Sequence, residues 1–219
     1  MAPITRLEFA VVRSERTPWK KFCEENDWAE TALQNAPRPN EPIPESCINV
    51  YYVIDKNEKK VVDKVYLVTW LPIAQHQQAF RELNLVWVER HFKVEKSDIN
   101  QLERPQENII DPGGEIILLQ HAEEIIGTVA VVSEHGEYEL SKMSVSDHHQ
   151  GKGYSHLLMY ASLDWARARN IPEITILSSQ RLATAINLYK QHGFKTVRLG
   201  AHPNYERCDI IMKWTSDKL

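Results

Sequence analysis

A short run of small and polar residues in the second half of the chain could bind an anion. It follows a strand-like segment that ends near Val145, and the apolar residues after it recur at helical spacing. The first N–H groups of a helix have no intrahelical partner and favour negative charge, so a phosphate could bind there. Two glycines would let it approach the backbone closely. The run consists of Gln150, Gly151, Lys152, Gly153, Tyr154 and Ser155.

Three known phosphate-binding patterns are candidates for this run. The pattern G-x-x-x-x-G-K-[ST] does not fit, because Lys152 precedes its glycine. The dinucleotide pattern G-x-G-x-x-G requires a glycine where the chain has His156. Gln150, Gly153 and Ser155 match the third pattern, [QR]-x-x-G-x-[GA], with serine as the final small residue. Taken alone, the run is equally compatible with a tight turn that caps a helix.

A second motif downstream decides between these patterns. A strand is predicted at Glu173–Ser178, and a helix is predicted from Leu182 to His192. This helix carries an A-x-x-x-Y-x-x-x-G-F arrangement. The motif residues are Ala185, Tyr189, Gly193 and Phe194. The two motifs, in this order, resemble the two coenzyme-binding motifs of the GNAT N-acetyltransferases.

The resemblance covers about Lys64 to the C-terminus and implies the α/β GNAT fold. In that fold a mixed central β-sheet is flanked by helices, and two neighbouring parallel strands splay apart. The pantetheine arm of acetyl-CoA enters the gap and pairs with exposed backbone groups. No metal is implied. Besides residues 150–155, where Lys152 would add charge, the implied coenzyme contacts are Met143, Ser144, Val145, Ser178, Ala185 and Tyr189.

The expected chemistry is transfer of an acetyl group from a thioester to a primary amine. A free alkylamine with a pKa of about 10 is mostly protonated at pH 7, so a base must take its proton. Glu139 matches the position of the catalytic glutamate in the histone-acetyltransferase branch of the family, and burial could raise its pKa. The alternative is a glutamate that simply pairs with Lys142 or another neighbour.

The resemblance assigns two further roles. A backbone N–H from Met143 to Val145 could stabilise the thioester oxygen as it gains charge. Tyr189 occupies the position of the general acid that protonates the departing thiolate, although a tyrosine on an apolar helix face is more often a core residue. The acceptor would border the first helix, predicted from near Pro72 to Phe92. Candidates there are Arg81, Asn84, Trp87 and Glu89.

The chain is predicted to have two parts, residues 1–63 and 64–219. The second is the acetyltransferase domain, whose further strands are predicted at Val65–Trp70, Glu115–His121, Ile126–Ser133, Lys195–Leu199 and Asp209–Trp214. The first is an N-terminal α+β extension of unknown role, interpreted as ordered and packed on the main domain; a lid or dimer arm is the alternative. Its elements are a strand at Ile4–Val12, a helix at Thr17–Asn35, a proline-rich connector and a strand at Ile48–Ile54.

Composition excludes several other classes. A net charge of −4 over 219 residues gives no overall basic field for nucleic acid or acidic membranes. No apolar run is long enough for a transmembrane helix. Three irregularly spaced cysteines indicate a reducing compartment, so the protein is expected to be cytoplasmic. No metal-ligand spacing is found among His148, His149, His156 and Cys208.

Two functions follow as hypotheses. The first is an acetyl-CoA-dependent N-acetyltransferase that acts on a small amine or on a protein, with direct attack by the amine. The alternative is a non-catalytic acyl-CoA-binding regulatory module on the same fold. Retention of Glu139 and Tyr189 favours the enzyme, because a sensor would be expected to lose the acid–base pair. A homodimer is possible in either case.

Overall fold

A single mixed β-sheet organises the protein. The computed structural model describes residues 8–12, 44, 46–55, 60–203 and 205–216, and nine strands of this part form one sheet. The strands are β1 (Glu8–Val12), β2 (Cys47–Asp55), β3 (Lys60–Thr69), β4 (Glu115–His121), β5 (Glu124–Glu134), β6 (Glu137–Val145), β7 (Glu173–Ser178), β8 (Lys195–Leu199) and β9 (Ile210–Thr215). The α-helices are α1 (Ala74–His91), α2 (Lys96–Glu103), α3 (Tyr154–Ala168) and α4 (Ala183–Gln191).

The sheet is antiparallel except at one place. Its strand order is β1-β2-β3-β4-β5-β6-β7-β9-β8. Only β6 and β7 run parallel, and every other neighbouring pair is antiparallel. These helices and mixed strands confirm the predicted α/β class. Within the described residues, no helix is long and apolar enough to cross a membrane.

Both faces of the sheet are covered at β4. On β4, Ile116 and Leu118 belong to a core that also contains Phe80 of α1 and Leu102 of α2. The alternate residues of the strand, Ile117 and Leu119, belong to a second core with α3. Since successive side chains of a strand point to opposite faces, a strand covered on both sides has a continuous apolar sequence. The EIILL segment at the start of β4 has this character.

The two parallel strands separate almost at once. The only paired Cα positions of β6 and β7 are Glu139 and Thr175, although β6 continues to Val145. Beyond that point the edge of β6 that faces β7 is not paired with it. The predicted gap between splayed strands is therefore present, and Glu139 lies where it begins.

A β-bulge in β6 accompanies this separation. Between Ser144 and Ser141, β6 uses three residue steps where β5 uses two. Lys142 lies in the bulge with a φ of 50°, a value that non-glycine residues seldom adopt. A bulge bends its strand and increases the local twist, and this one lies just beyond Glu139, where the pairing of β6 with β7 ends. Thr128 of β5 donates a hydrogen bond of 2.9 Å to the Lys142 carbonyl and holds the bulge.

The N-terminal residues contribute strands to the same sheet. β1 pairs with β2, and β2 pairs with β3, both antiparallel. β3 runs from Lys60 to Thr69 and so crosses the predicted boundary between residues 63 and 64. The predicted helix at Thr17–Asn35 and the proline-rich connector lie outside the described residues, and the role of the extension stays a prediction.

The sequence patterns missed one element. Pro105 follows α2 and begins a π-helical turn, Gln106–Ile110, whose Ile109 is fully buried. The turn lies close to β5 because Gly114 follows it. A Cβ atom at Gly114 would come within 2.3 Å of the Val131 carbonyl oxygen and 2.6 Å of that of Ile109. This glycine is needed for close backbone approach, which a hydrophobicity pattern does not reveal.

Candidate active site

A cleft of about 1080 Å³ lies at the separation of β6 and β7. It brings together both motifs found in the sequence, although they lie on different strands and helices. All but one of the predicted site residues line it, and the exception is Lys152, which follows the lining residue Gly151. The lining residues among those predicted are Glu139, Met143, Ser144, Val145, Gln150, Gly151, Gly153, Tyr154, Ser155, Ser178, Ala185 and Tyr189.

The end of β6 exposes backbone groups to this cleft. The Ser146 N–H donates to the Ile126 carbonyl of β5 at 2.8 Å. Because backbone groups point to alternate edges along a strand, those of Val145 point away from β5. The Gln150 amide donates to the Val145 carbonyl at 3.0 Å, which fits this direction. The side chain of Ser144 is engaged elsewhere, because its hydroxyl donates to the Leu83 carbonyl at 3.0 Å.

The glycine run forms the start of α3. Gly151 and Gly153 have φ values of 74° and 85°, in the left-handed region that glycine tolerates best. Gly153 is the N-cap of α3, and no side chain caps the helix there. A Cβ atom at Gly151 would meet nothing within 4 Å. The backbone at the start of α3 is thus open, and its first N–H groups suit a phosphate.

An ion pair holds the segment that leads from β6 into this loop. Arg90 at the end of α1 donates two hydrogen bonds to the Asp147 carboxylate, at 2.9 and 2.6 Å. Asp147 also accepts a bond of 3.0 Å from Gln150. Two parallel bonds constrain orientation as well as distance. The loop is therefore tied to α1 although its residues are largely exposed, and sequence patterns gave no sign of this tie.

Glu139 is the most strongly perturbed carboxyl group in the cleft. Burial raises its pKa to about 7, an effect that the nearby Glu134 and Asp98 reinforce. Lys142 and Arg207 act in the opposite direction but do not cancel the effect of burial. A carboxyl group with a pKa near neutrality can both accept and release a proton at physiological pH. Lys142 itself pairs with Asp98, so it is not simply the partner of Glu139.

Tyr189 lies on the opposite wall, on α4. Burial raises the pKa of its hydroxyl to about 12, so the group stays protonated at neutral pH. Its ring packs on Phe194, with a centroid distance of 6.1 Å. No residue of α4 is fully buried, and much of the helix lines the cleft instead. At the N-cap of α4, Leu182 provides no side-chain cap.

Charged groups on three elements form the other end of the cleft. The Asp98 carboxylate of α2 binds Arg207 of the β8–β9 connection at 2.6 and 2.7 Å and Lys142 of β6 at 3.2 Å. The Phe92 ring lies 6.0 Å from the guanidinium groups of both Arg181 and Arg207. No motif in the sequence marks Asp98 as part of this site. The i,i+3 spacing of Glu139 and Lys142 was the one signal of this cluster.

The acceptor candidates on α1 divide into two groups. Asn84 and Trp87 line the cleft, whereas Arg81 and Glu89 do not. Asn84 is buried, and its amide donates to the Thr128 hydroxyl at 3.0 Å and to the Phe80 carbonyl at 2.8 Å. These bonds give Asn84 a structural part beneath the bulge of β6.

The histidines singled out in the sequence do not gather into a metal centre. His156 and His192 share a ring hydrogen bond of 2.8 Å, and His149 bonds to the Ser146 hydroxyl at 2.8 Å. Across the part of the chain that the structure describes, no group of three or more His, Cys, Asp and Glu side chains is arranged to hold a metal ion.

Comparison with known proteins agrees with this geometry. The family model of the acetyltransferase (GNAT) family matches residues 76–194, which is more than half of the 219 residues. The chain belongs to the acetyltransferase (GNAT) family. The match begins in α1 and ends after α4, so it contains both motifs and the separated strands of the GNAT domain.

Solved structures share the GNAT fold. A GNAT-family acetyltransferase from Staphylococcus aureus Mu50 is 17% identical, with a TM-score of 0.61 over 69% of this chain and 98% of its own. An acetyltransferase from Streptococcus agalactiae 2603 has 14% identity and a TM-score of 0.61 over 69% and 98%. PaiA N-acetyltransferase from Thermoplasma acidophilum, in complex with coenzyme A, has 14% identity and a TM-score of 0.51 over 69% and 99%. No curated protein matches the chain.

The raised pKa of Glu139 gives a direct test of the site. We expect one side-chain carboxyl group to titrate near pH 7 in ¹³C NMR spectra of the protein alone, because burial disfavours its charged form. The signal should be missing from Glu139→Gln and present in Glu103→Gln, a change to an exposed carboxyl that is not among the cleft's lining residues. Titration of every carboxyl group below pH 5 would contradict the assignment.

Proposed function

We propose that the protein is an N-acetyltransferase that moves the acetyl group of acetyl-CoA to a primary amine. The amine attacks the thioester directly, with Glu139 as the base and Tyr189 as the acid. The observation that carries this proposal is the placement of Glu139, a carboxyl group with a pKa of about 7, at the point where β6 and β7 separate. Membership of the GNAT family supports acyl transfer from an acyl-CoA.

The residues present fit an acyl-CoA. The open N-terminus of α3 suits the pyrophosphate, and the glycines leave the space that side chains would fill. The unpaired edge of β6 offers the backbone of Val145 and Met143 to the amide groups of the pantetheine arm. Lys152 belongs to the glycine run and adds positive charge without lining the cleft. Acetyl-CoA supplies the activated acetyl group.

Glu139 accepts the proton that the amine loses on attack. Efficient general bases have a pKa near the working pH, because they are then ionised and still basic. Burial gives Glu139 this property. The backbone N–H groups near Val145 are the proposed donors to the thioester oxygen, which becomes negative as the tetrahedral intermediate forms.

Tyr189 acts when the thiolate departs. Its pKa of about 12 keeps it protonated, but a thiol has a pKa of about 8.5, so complete proton transfer to the sulfur is uphill. The hydroxyl therefore stabilises the departing sulfur mainly as a hydrogen-bond donor. This predicts a smaller contribution than that of Glu139.

The acceptor is a primary amine carried by a small molecule or by a protein, and a panel of amines with detection of the released thiol identifies it.

We place this activity in the cytoplasm. The two cysteines of the described residues, Cys47 and Cys208, are free thiols, and these persist in reducing compartments.

Substitution of Gly153 tests the coenzyme loop. Gly153→Val should weaken acetyl-CoA binding at least about tenfold in calorimetry, because the branched side chain disfavours a φ of 85° and obstructs phosphate approach. Gly136→Val is the matched control, since Gly136 has a φ of 83° in the β5–β6 turn and is not among the lining residues. Equal affinity in a folded Gly153→Val protein would remove the loop from the site.

Glu139→Gln tests the base. In the wild type, kcat/KM should rise with pH through about 7, because protonated Glu139 cannot accept a proton. The variant should lose this rise and about 10²-fold or more of the rate at neutral pH, with less loss at high pH, where the amine deprotonates without help. Its affinity for acetyl-CoA should hardly change.

The matched control is again Glu103→Gln. A Glu139→Gln enzyme that keeps the wild-type rate and pH profile would exclude Glu139 as the base. If no amine in the panel is acetylated although acetyl-CoA binds, the regulatory-module alternative holds instead.

Tyr189→Phe tests the acid. Single-turnover rates should fall roughly ten- to a hundredfold, since a hydrogen bond to a charged group is worth about 1.5–3 kcal/mol. Single-turnover measurement is needed because product release can hide this step at steady state. Tyr160→Phe is the control, because Tyr160 is exposed on α3 and is not among the lining residues. An unchanged single-turnover rate would leave Tyr189 as a packing residue.

A further inference from the structure

The carboxylate of Asp98 is the most deeply buried charge of the site. Asp98 is 1% exposed and binds two cations, Arg207 at 2.6 and 2.7 Å and Lys142 at 3.2 Å. Its partners come from distant parts of the chain, the β8–β9 connection and the bulge of β6. Burying a charge is costly unless partners compensate for it. The cluster therefore needs an explanation beyond local helix capping.

Asp98 has a fixed orientation. One of its oxygens accepts a hydrogen bond of 3.2 Å from the Glu95 N–H, in a reciprocal capping box at the start of α2. Burial alone would raise its pKa, but the hydrogen bond from Arg207 and the charge of Lys142 hold the pKa at about 2. Asp98 is thus a permanent negative charge in one position.

The same groups line the cleft together with Glu139. The charged and titratable side chains that interact with it come from β5, α2, β6 itself and the β8–β9 connection. They are Glu134, Asp98, Lys142, Tyr205, Arg207 and Cys208. Lys142 and Arg207 favour the ionised form of Glu139, and Asp98 opposes them. Lys142 and Arg207, the two cations that act on Glu139, are therefore the same two cations that Asp98 binds.

We propose that Asp98 is a positioning residue for Glu139, because it holds Lys142 and Arg207 in ion pairs and balances their charge beside the proposed base. Without this carboxylate, Glu139 would face two uncompensated cations and would become a weaker base. The ion pair also holds Lys142 in the bulge with its φ of 50°. This inference rests on the proposed role of Glu139.

The test compares the pH–rate profiles of two variants. Asp98→Asn removes the negative charge, so the rise of kcat/KM should move to lower pH by roughly one unit and reach a lower maximum. Lys142→Met removes a positive charge, so the rise should move to higher pH. Opposite shifts from two members of one ion pair report charge, since loss of structure alone would not give shifts of opposite sign.

Glu103→Gln is the matched control. Glu103 is on the same helix and forms an ion pair of 2.6 Å with Arg81, but this pair is exposed and its members are not among the cleft's lining residues. The profile of this variant should not move. The ¹³C titration of the Glu139 carboxyl in each variant gives a readout that does not need acetyl transfer, and it should shift in the same directions.

The outcomes separate the two proposals. If Glu139→Gln keeps the rise, Glu139 is not the base, and both proposals fail. If Glu139→Gln loses the rise but Asp98→Asn and Lys142→Met leave its position unchanged, only this inference is overturned. If Asp98→Asn does not fold, Lys142→Met decides: a shift to higher pH supports the inference, and an unchanged profile overturns it.

Discussion

The separation of β6 from β7 is the constraint on which the rest of the site depends. Two parallel neighbours would normally pair along their length, but here one pair of positions, Glu139 and Thr175, joins them. The free edge of β6 must find other hydrogen-bond partners, because unpaired backbone groups that lose contact with water are costly. A ligand with amide groups meets this need. The fold thus creates a binding surface from backbone groups without dedicated side chains.

The same separation places the chemistry. Glu139 lies where the strands still touch, so protein surrounds its carboxyl group on several sides and burial raises its pKa. The glycine run follows β6, and α4, which carries Tyr189, follows β7, so both line the gap. The position of Glu139, the proposed base, and its raised pKa therefore both result from the separation of β6 and β7. A substitution that closed the gap would affect both together.

Sequence predicted the parts of this site that depend on local patterns. The bounds of β4, β7 and β8 were predicted without error, since each is an apolar or β-branched run between turn residues. The glycine run and the A-x-x-x-Y motif led to residues that line one cleft. The ion pair of Asp98 with Arg207 was not predictable in this way. Its members are 109 positions apart, and no periodicity links them.

The role proposed for Asp98 also gives a reason for its costly buried cluster with Lys142 and Arg207. A buried ion pair is often no more stabilising than apolar residues of similar size, so stability is a weak reason for Asp98. The proposed proton transfer by Glu139 is a better reason for Asp98 to be present. With Glu139 protonated, the four groups Asp98, Lys142, Arg207 and Glu139 carry one net positive charge; after ionisation they are neutral. The exposed Glu134 also acts on Glu139 and raises its pKa, although solvent screens part of its charge. Lys142 and Arg207 therefore stabilise the negative charge that Glu139, the proposed base, carries when it is ionised. Asp98 limits this stabilisation, so Glu139 can still be protonated.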